Sequence, residues 1–227
     1  MKIAGLQKLT LLDYPGKTAC TVFFGGCNFR CPFCHNWELL DGSYPPQMDE
    51  EQLVSFLKKR FGMLEGVCIT GGEPLLSDDI IPLLQKIREI GYSIKIDTNG
   101  SYPERLKRII DLGLADYVAM DIKNSPEKYA EAAGGFSGME KIRQSIDLLI
   151  RGKLPYEFRT TVVDELHAEE DFHGIGKLIS GAEKWYLQKF QDRDTVPYEG
   201  FHAPDADSIA KYADIMRAYV KTVEIRG

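Results

Sequence analysis

Short apolar runs alternate along this chain with longer segments whose apolar residues recur every three or four positions. The first pattern predicts buried strands and the second predicts helices packed on one face. Residues 3–11 and 17–24 read as two strands, joined around Asp13-Tyr14-Pro15-Gly16. Proline presets one turn position there, and glycine tolerates positive φ at the next. Leu53, Phe56 and Leu57 place a helix over 49–60, and Val67-Cys68-Ile69-Thr70 is a short buried strand. Ile80, Leu83, Leu84 and Ile87 put a second helix over 78–90, with Ser77 as its expected cap. Strands are expected at 93–97, 117–122, 157–163 and 185–190, and helices at 103–112, 138–151 and 169–179. Pro103 suits a first helical turn. A helix near 205–219 and a short strand at 222–225 close the chain.

After the first strand the order is strand then helix, repeated. Parallel pairing with right-handed crossovers follows. Periodicity alone leaves open whether the sheet is flat or curved. The length of 227 residues suits one α/β domain spanning 1–227, and 44% hydrophobic residues suffice for a sizeable core. No run approaches the roughly 18 apolar residues of a membrane span. The formal net charge of −6 gives no support to nucleic-acid binding. The N-terminus lacks the basic start, apolar core and small-residue cleavage site of an export signal, so a cytoplasmic location is expected.

The chemistry concentrates in Gly25-Gly26-Cys27-Asn28-Phe29-Arg30-Cys31-Pro32-Phe33-Cys34-His35-Asn36. Its three cysteines are spaced C-x3-C-x2-C. A structural zinc wants four ligands, and so does an ordinary electron-transfer cluster. A [4Fe–4S] cluster held by three thiolates keeps one iron open for a small molecule. Cys31-Pro32-Phe33-Cys34-His35 also fits the c-type haem attachment signal, and Cys31 to Cys34 a thioredoxin-type pair. Both leave Cys27 idle. Cys20 and Cys68 lie inside apolar strands and read as small core residues.

The cysteine run resembles the cluster loop of the radical S-adenosylmethionine superfamily. The resemblance implies a partial (β/α)6 barrel with an N-terminal hairpin and a C-terminal helix extension, its chemistry at the C-terminal strand ends. It implies a [4Fe–4S] cluster on Cys27, Cys31 and Cys34, whose open iron is chelated by S-adenosylmethionine. Reductive cleavage then yields a deoxyadenosyl radical that abstracts hydrogen. Thr70-Gly71-Gly72-Glu73-Pro74 matches the segment that holds the cofactor's amino group. It can also be read as a glycine-rich strand-to-helix turn.

Asp97-Thr98-Asn99-Gly100 and Asp121-Ile122-Lys123 resemble segments of glycyl radical enzyme activases. By that resemblance Asp97, Thr98 and Asp121 contact the cofactor or help seat a monovalent cation, and Lys123 contacts the cofactor. Asx-type turns and a surface salt bridge are the alternatives. Arg159, inside a strand, either faces the cofactor carboxylate or points outward. Gln191 stands where a relative has histidine near the adenosine, and Phe33 and His35 are expected near the adenine. His167, His173 and His202 have no companion ligands in the sequence and receive no role.

The whole chain resembles the activating protein of anaerobic ribonucleoside-triphosphate reductase, through Gly5-Leu6-Gln7-Lys8 and Leu12-Asp13-Tyr14-Pro15-Gly16-Lys17 leading into the cluster loop. The implied function is hydrogen abstraction from a glycine of a partner enzyme, with flavodoxin or ferredoxin as electron donor. Rival expectations are a small-molecule enzyme resembling 7-carboxy-7-deazaguanine synthase, and an iron–sulfur electron carrier or sensor.

Overall fold

A computed structural model describes residues 3–40 and 44–226. Eight strands follow one another in the sheet in chain order: β1 (Ile3–Thr10), β2 (Ala19–Phe24), β3 (Gly66–Gly71), β4 (Ser93–Thr98), β5 (Tyr117–Asp121), β6 (Tyr156–Val162), β7 (Lys184–Lys189) and β8 (Thr222–Arg226). The helices are α1 (Glu50–Arg60), α2 (Ile80–Ile90), α3 (Pro103–Asp111), α4 (Tyr129–Ala132), α5 (Met139–Arg151), α6 (Glu169–Leu178) and α7 (Ala206–Met216). The α/β class, the N-terminal hairpin and the C-terminal helix stand as expected.

The chain divides into two compact units. The first comprises Met1–Asn28, Glu38–Thr98 and Tyr102–Ala119. Here β1 is antiparallel to β2, while β2, β3 and β4 run parallel. Helix α1 forms because Leu53 and Leu57 share a buried face and Asp49 closes a reciprocal capping box with Gln52. Glu50 and Glu51 sit in its first turn and Lys58, Lys59 and Arg60 in its last, matching the helix dipole. Helix α2 buries Ile80, Ile81, Leu83, Leu84 and Ile87. Each such side chain contributes about 1.5–3 kcal/mol. Gly91, at φ 107°, ends α2 in the left-handed conformation that a Cβ would strain.

Ser77 is not the N-cap of α2. A 3-10 turn over Pro74–Leu76 leaves Ser77 extended, so two further residues are needed before the helix can begin. Its hydroxyl accepts the Asp79 N–H at 3.3 Å, and Asp79 takes the cap position without a side-chain bond. Cys20 and Cys68 are fully buried, as expected. Cys68 donates to the Asp13 carbonyl at 3.1 Å, and burial pushes the Cys20 thiol up to about 12.

The second unit comprises Phe29–Trp37, Asn99–Ser101 and Met120–Gly227. Strands β6, β7 and β8 are parallel and in register, with Thr161 beside Gln188 and Gln188 beside Arg226. Trp185 is buried against Phe172 and donates to Thr160 at 3.1 Å. Helix α7 starts at Asp205, whose carboxylate accepts the Ser208 N–H at 2.7 Å. The one-turn helix α4 is too short for helical spacing to reveal.

Candidate active site

In the first unit the exit of β2 is stitched to the turn after β3. Phe24 lies level with Gly71, the Gly72 N–H donates to the Phe24 carbonyl at 2.8 Å, and the Glu73 N–H donates to Gly26 at 2.9 Å. A Cβ on Gly71, at φ 120°, would sit 2.2 Å from the Phe24 nitrogen; one on Gly72 would sit 2.0 Å from the Gly26 oxygen. Both glycines are therefore required by backbone packing within the chain. The Cys27 N–H donates to Leu40 at 3.1 Å, fastening the start of the cysteine loop.

Glu73 is 2% exposed. Its Oε1 accepts the Leu75 N–H at 3.0 Å and the Thr98 hydroxyl at 2.8 Å. An anion held by such donors is fixed in direction. On β4 the Asp97 carboxylate forms an ion pair with Lys95, two residues back on the same strand. Lys95 is itself 2% exposed. Sequence reading passed over Lys95, although strand alternation puts it on the Asp97 face.

In the second unit, Phe29 packs on Phe136 and edge-on to Tyr129, and the Arg30 N–H donates to Ala133 at 3.2 Å. Gly134, at φ 66°, lets Arg30 come close: a Cβ there would lie 2.1 Å from the Arg30 oxygen. The segment from Tyr129 onward thus cradles the cysteine loop. Cys31 and Phe33 are buried, and the Cys34 N–H donates to the Cys31 carbonyl at 3.1 Å. Burial pushes the Cys31 thiol up to about 11 against the pull of Lys123, and burial raises Cys34 as well.

Asp121 ends β5 and carries two cations. Lys123 Nζ lies 3.1 Å from Oδ2, and Arg159 Nε lies 2.9 Å from Oδ1. Arg159 is therefore turned to the acid end of β5 and not outward. The pair of Asp121 and Lys123 is partly buried, with side-chain exposures of 30% and 17%, so it is no surface bridge. Burial opposes the Asp121 charge, but Arg159 and then Lys123 outweigh it and hold the carboxyl at about 2. Burial likewise opposes the Lys123 charge, and the Asp121 carboxylate raises it well above the usual lysine range.

Two further residues escaped sequence reading. The Tyr129 hydroxyl reaches the Asp121 carbonyl at 3.5 Å, and burial, opposed by Lys123, raises the phenol. His167 is buried; its Nε2 lies 2.9 Å from the Lys123 carbonyl, and its Nδ1 accepts the Val163 N–H at 3.2 Å. It braces the backbone of the Asp-x-Lys segment. His35 Nε2 meets the Gln191 carbonyl at 2.6 Å, and its ring stacks on Phe190. His35 and Gln191 join Thr161, Gln188, Lys189, Arg193 and Arg226 around a cavity of about 260 Å³.

The donor set suits an iron–sulfur cluster. All the cysteines are free thiols, and soft sulfur ligands favour iron–sulfur clusters. Among the described residues no three His, Cys, Asp or Glu side chains are arranged to hold a single metal ion. A cluster instead spreads its thiolates over separate irons. Among the described residues no helix is long and apolar enough to cross a membrane.

The model of the radical SAM superfamily matches residues 21–175. A candidate glycyl-radical enzyme activating enzyme of Methanocaldococcus jannaschii is 31% identical over 231 residues, covering 99% of this chain and 95% of its own. The 7-carboxy-7-deazaguanine synthase of Halobacterium salinarum is 31% identical over 190 residues, covering 82% and 72%. A solved domain of pyruvate-formate lyase-activating enzyme from Bacteroides vulgatus shares the fold, with a TM-score of 0.58 at 17% identity, over 71% of this chain and 99% of that one. The chain belongs to the radical S-adenosylmethionine superfamily, which works through a [4Fe–4S] cluster and S-adenosylmethionine, and within it to the kind that includes the glycyl-radical enzyme activating enzymes.

Proposed function

We propose that this protein abstracts hydrogen from one glycine of a separate enzyme, anaerobic ribonucleoside-triphosphate reductase, and leaves a glycyl radical there. The observation that carries this reading is the end-to-end match to the candidate activating enzyme of Methanocaldococcus jannaschii. The activase-like segments at Cys34-His35-Asn36, Asp97-Thr98-Asn99-Gly100 and Asp121-Ile122-Lys123 support it. A flavodoxin or ferredoxin is the electron donor in this reading.

The cluster and S-adenosylmethionine, when bound, supply the electron and the hydrogen-abstracting radical. Cys27, Cys31 and Cys34 hold the cluster, and Cys31 gives up its proton on loading, since iron takes the thiolate. Glu73, fixed by Leu75 and Thr98, offers its carboxylate to the cofactor ammonium. Gly71 and Gly72 keep that turn tight. Asp121 stays anionic and holds Lys123 and Arg159 toward the cofactor carboxylate. In this reading Asp97 and Thr98 contact the cofactor, and Phe33, His35 and Gln191 meet the adenosine.

The test is electron paramagnetic resonance on reduced, reconstituted protein with S-adenosylmethionine and the reductase. A glycyl doublet should appear on the partner and vanish when its radical-site glycine becomes alanine, or when Cys31→Ala removes a cluster ligand. The Halobacterium relative favours a second reading, in which a small molecule is the substrate. Turnover of such a molecule with no doublet on any glycyl radical enzyme would sink the first reading and support the second.

A further inference from the structure

Each group assigned by resemblance to a monovalent cation already carries a partner from this chain. In the first unit, Asp97 is paired with Lys95, and the Thr98 hydroxyl donates to Glu73 at 2.8 Å. In the second, Asp121 takes Lys123 and Arg159. The Lys95 pair is the most committed of these. A lysine this deeply buried is costly unless its charge is met, and its hydrogen bond goes to Asp97. Its backbone is fixed in β4, level with Cys68 of β3, so the ammonium cannot swing to solvent without giving up the Asp97 carboxylate, itself 14% exposed. A metal ion on Asp97 would add a second positive charge beside the first in a low-dielectric setting.

We infer that Lys95 is the built-in counter-cation of Asp97, standing where a monovalent metal ion would otherwise sit, so that cofactor binding here requires neither sodium nor potassium. Lys95 is then a positioning residue: it holds Asp97 in place and need not touch the cofactor. The inference rests on the assignment of Asp97 to the cofactor pocket.

The experiment measures S-adenosylmethionine binding by equilibrium dialysis on anaerobically reconstituted protein. Choline, sodium, potassium and ammonium chlorides are compared at equal ionic strength. Wild-type affinity should agree within about twofold across all four salts. Lys95→Met should lose at least about tenfold in choline and recover in potassium or ammonium, whose free cation fills the vacated place. Melting temperatures of the same samples without cofactor should follow the same pattern, and Lys95→Arg, which keeps the charge, should resemble wild type. Wild-type binding that strengthens about tenfold on adding sodium or potassium would overturn the inference, even if Lys95→Met failed to fold. So would a Lys95→Met protein that binds and melts like wild type in choline. Asp97→Asn separates the two layers. Weak binding in every salt supports the pocket assignment on its own; normal binding removes that assignment, and the melting series then decides whether Lys95 is replaceable by a free cation.

Discussion

Asp97, one residue before the end of β4, and Asp121, the last residue of β5, are met by cations in different ways. Asp97 is paired with Lys95, a deeply buried ammonium from its own strand. Asp121 has two cations, Lys123 two residues on and Arg159 from the neighbouring strand β6. The ammonium on Asp97 is 2% exposed, whereas Lys123 and Arg159 are 17% and 13% exposed. The contrast teaches that a strand-end carboxylate can be met by a deeply buried cation from its own strand or by partly exposed ones from two segments.

The largest effect should therefore come from Lys95→Met. It removes a deeply buried ammonium from a carboxylate whose side chain is 14% exposed, and breaking a buried pair costs up to about 3–5 kcal/mol. Arg159→Met leaves Lys123 on Asp121 and should cost about 1.5–3 kcal/mol, the range of one hydrogen bond to a charged group. Urea unfolding of cofactor-free protein in choline buffer measures both. If Arg159→Met proved the more damaging, the contrast between a deeply buried cation and partly exposed ones would be wrong. Lys95→Met combined with Asp97→Asn should regain most of the loss, because the carboxylate charge that Lys95 met is also gone.

Acid sharpens the same comparison. The Asp121 carboxyl is held at about 2 against its ordinary 3.8. A depressed carboxylate contributes stability that is present above the ordinary value and lost as pH falls toward the folded one. The difference amounts to about 2 kcal/mol. Stability should drop between roughly pH 4 and pH 2. Asp121→Asn should start lower and show a shallower fall across that window. An equally steep fall in the variant would assign the acid limb to other carboxylates.

Much of this was legible in the sequence because local rules governed it. Strand runs such as Val67-Cys68-Ile69-Thr70 and the faces of α1 and α2 follow periodicity, and the cysteine spacing signals its chemistry directly. The pairing of Asp121 with Lys123 is also local, two positions apart on one segment. Arg159 was ambiguous because its partner arrives from another strand, brought alongside by the Ile122 N–H donating to the Arg159 carbonyl at 2.7 Å. Tyr129 sits on a single helical turn, too brief for any period to show. Ser77 looked like a cap only because the intervening 3-10 turn left no periodic trace. His167 has no companion ligands in the sequence; its partners are backbone groups, the Lys123 carbonyl and the Val163 N–H, which no motif records.

His167 supplies the smallest expected effect and the finest test. It touches neither charge of the Asp121 group; it holds the Lys123 carbonyl from 2.9 Å. Burial lowers its pKa below the usual imidazole range, despite the raising influence of its backbone hydrogen bonds at Lys123 and Val163. Its stabilising contribution is present above the unfolded value near 6.5 and is lost as pH falls from there toward the lowered folded value. His167→Asn keeps one polar arm and should cost about 1 kcal/mol. The variant should also lose the gentle decline in stability below about pH 6.5, while the steeper Asp121 limb below about pH 4 remains. Urea midpoints followed from pH 7.5 to 3 resolve the two limbs. If His167→Asn erased the lower limb instead, the histidine would be acting on the Asp121 charges and not on the backbone that presents Lys123.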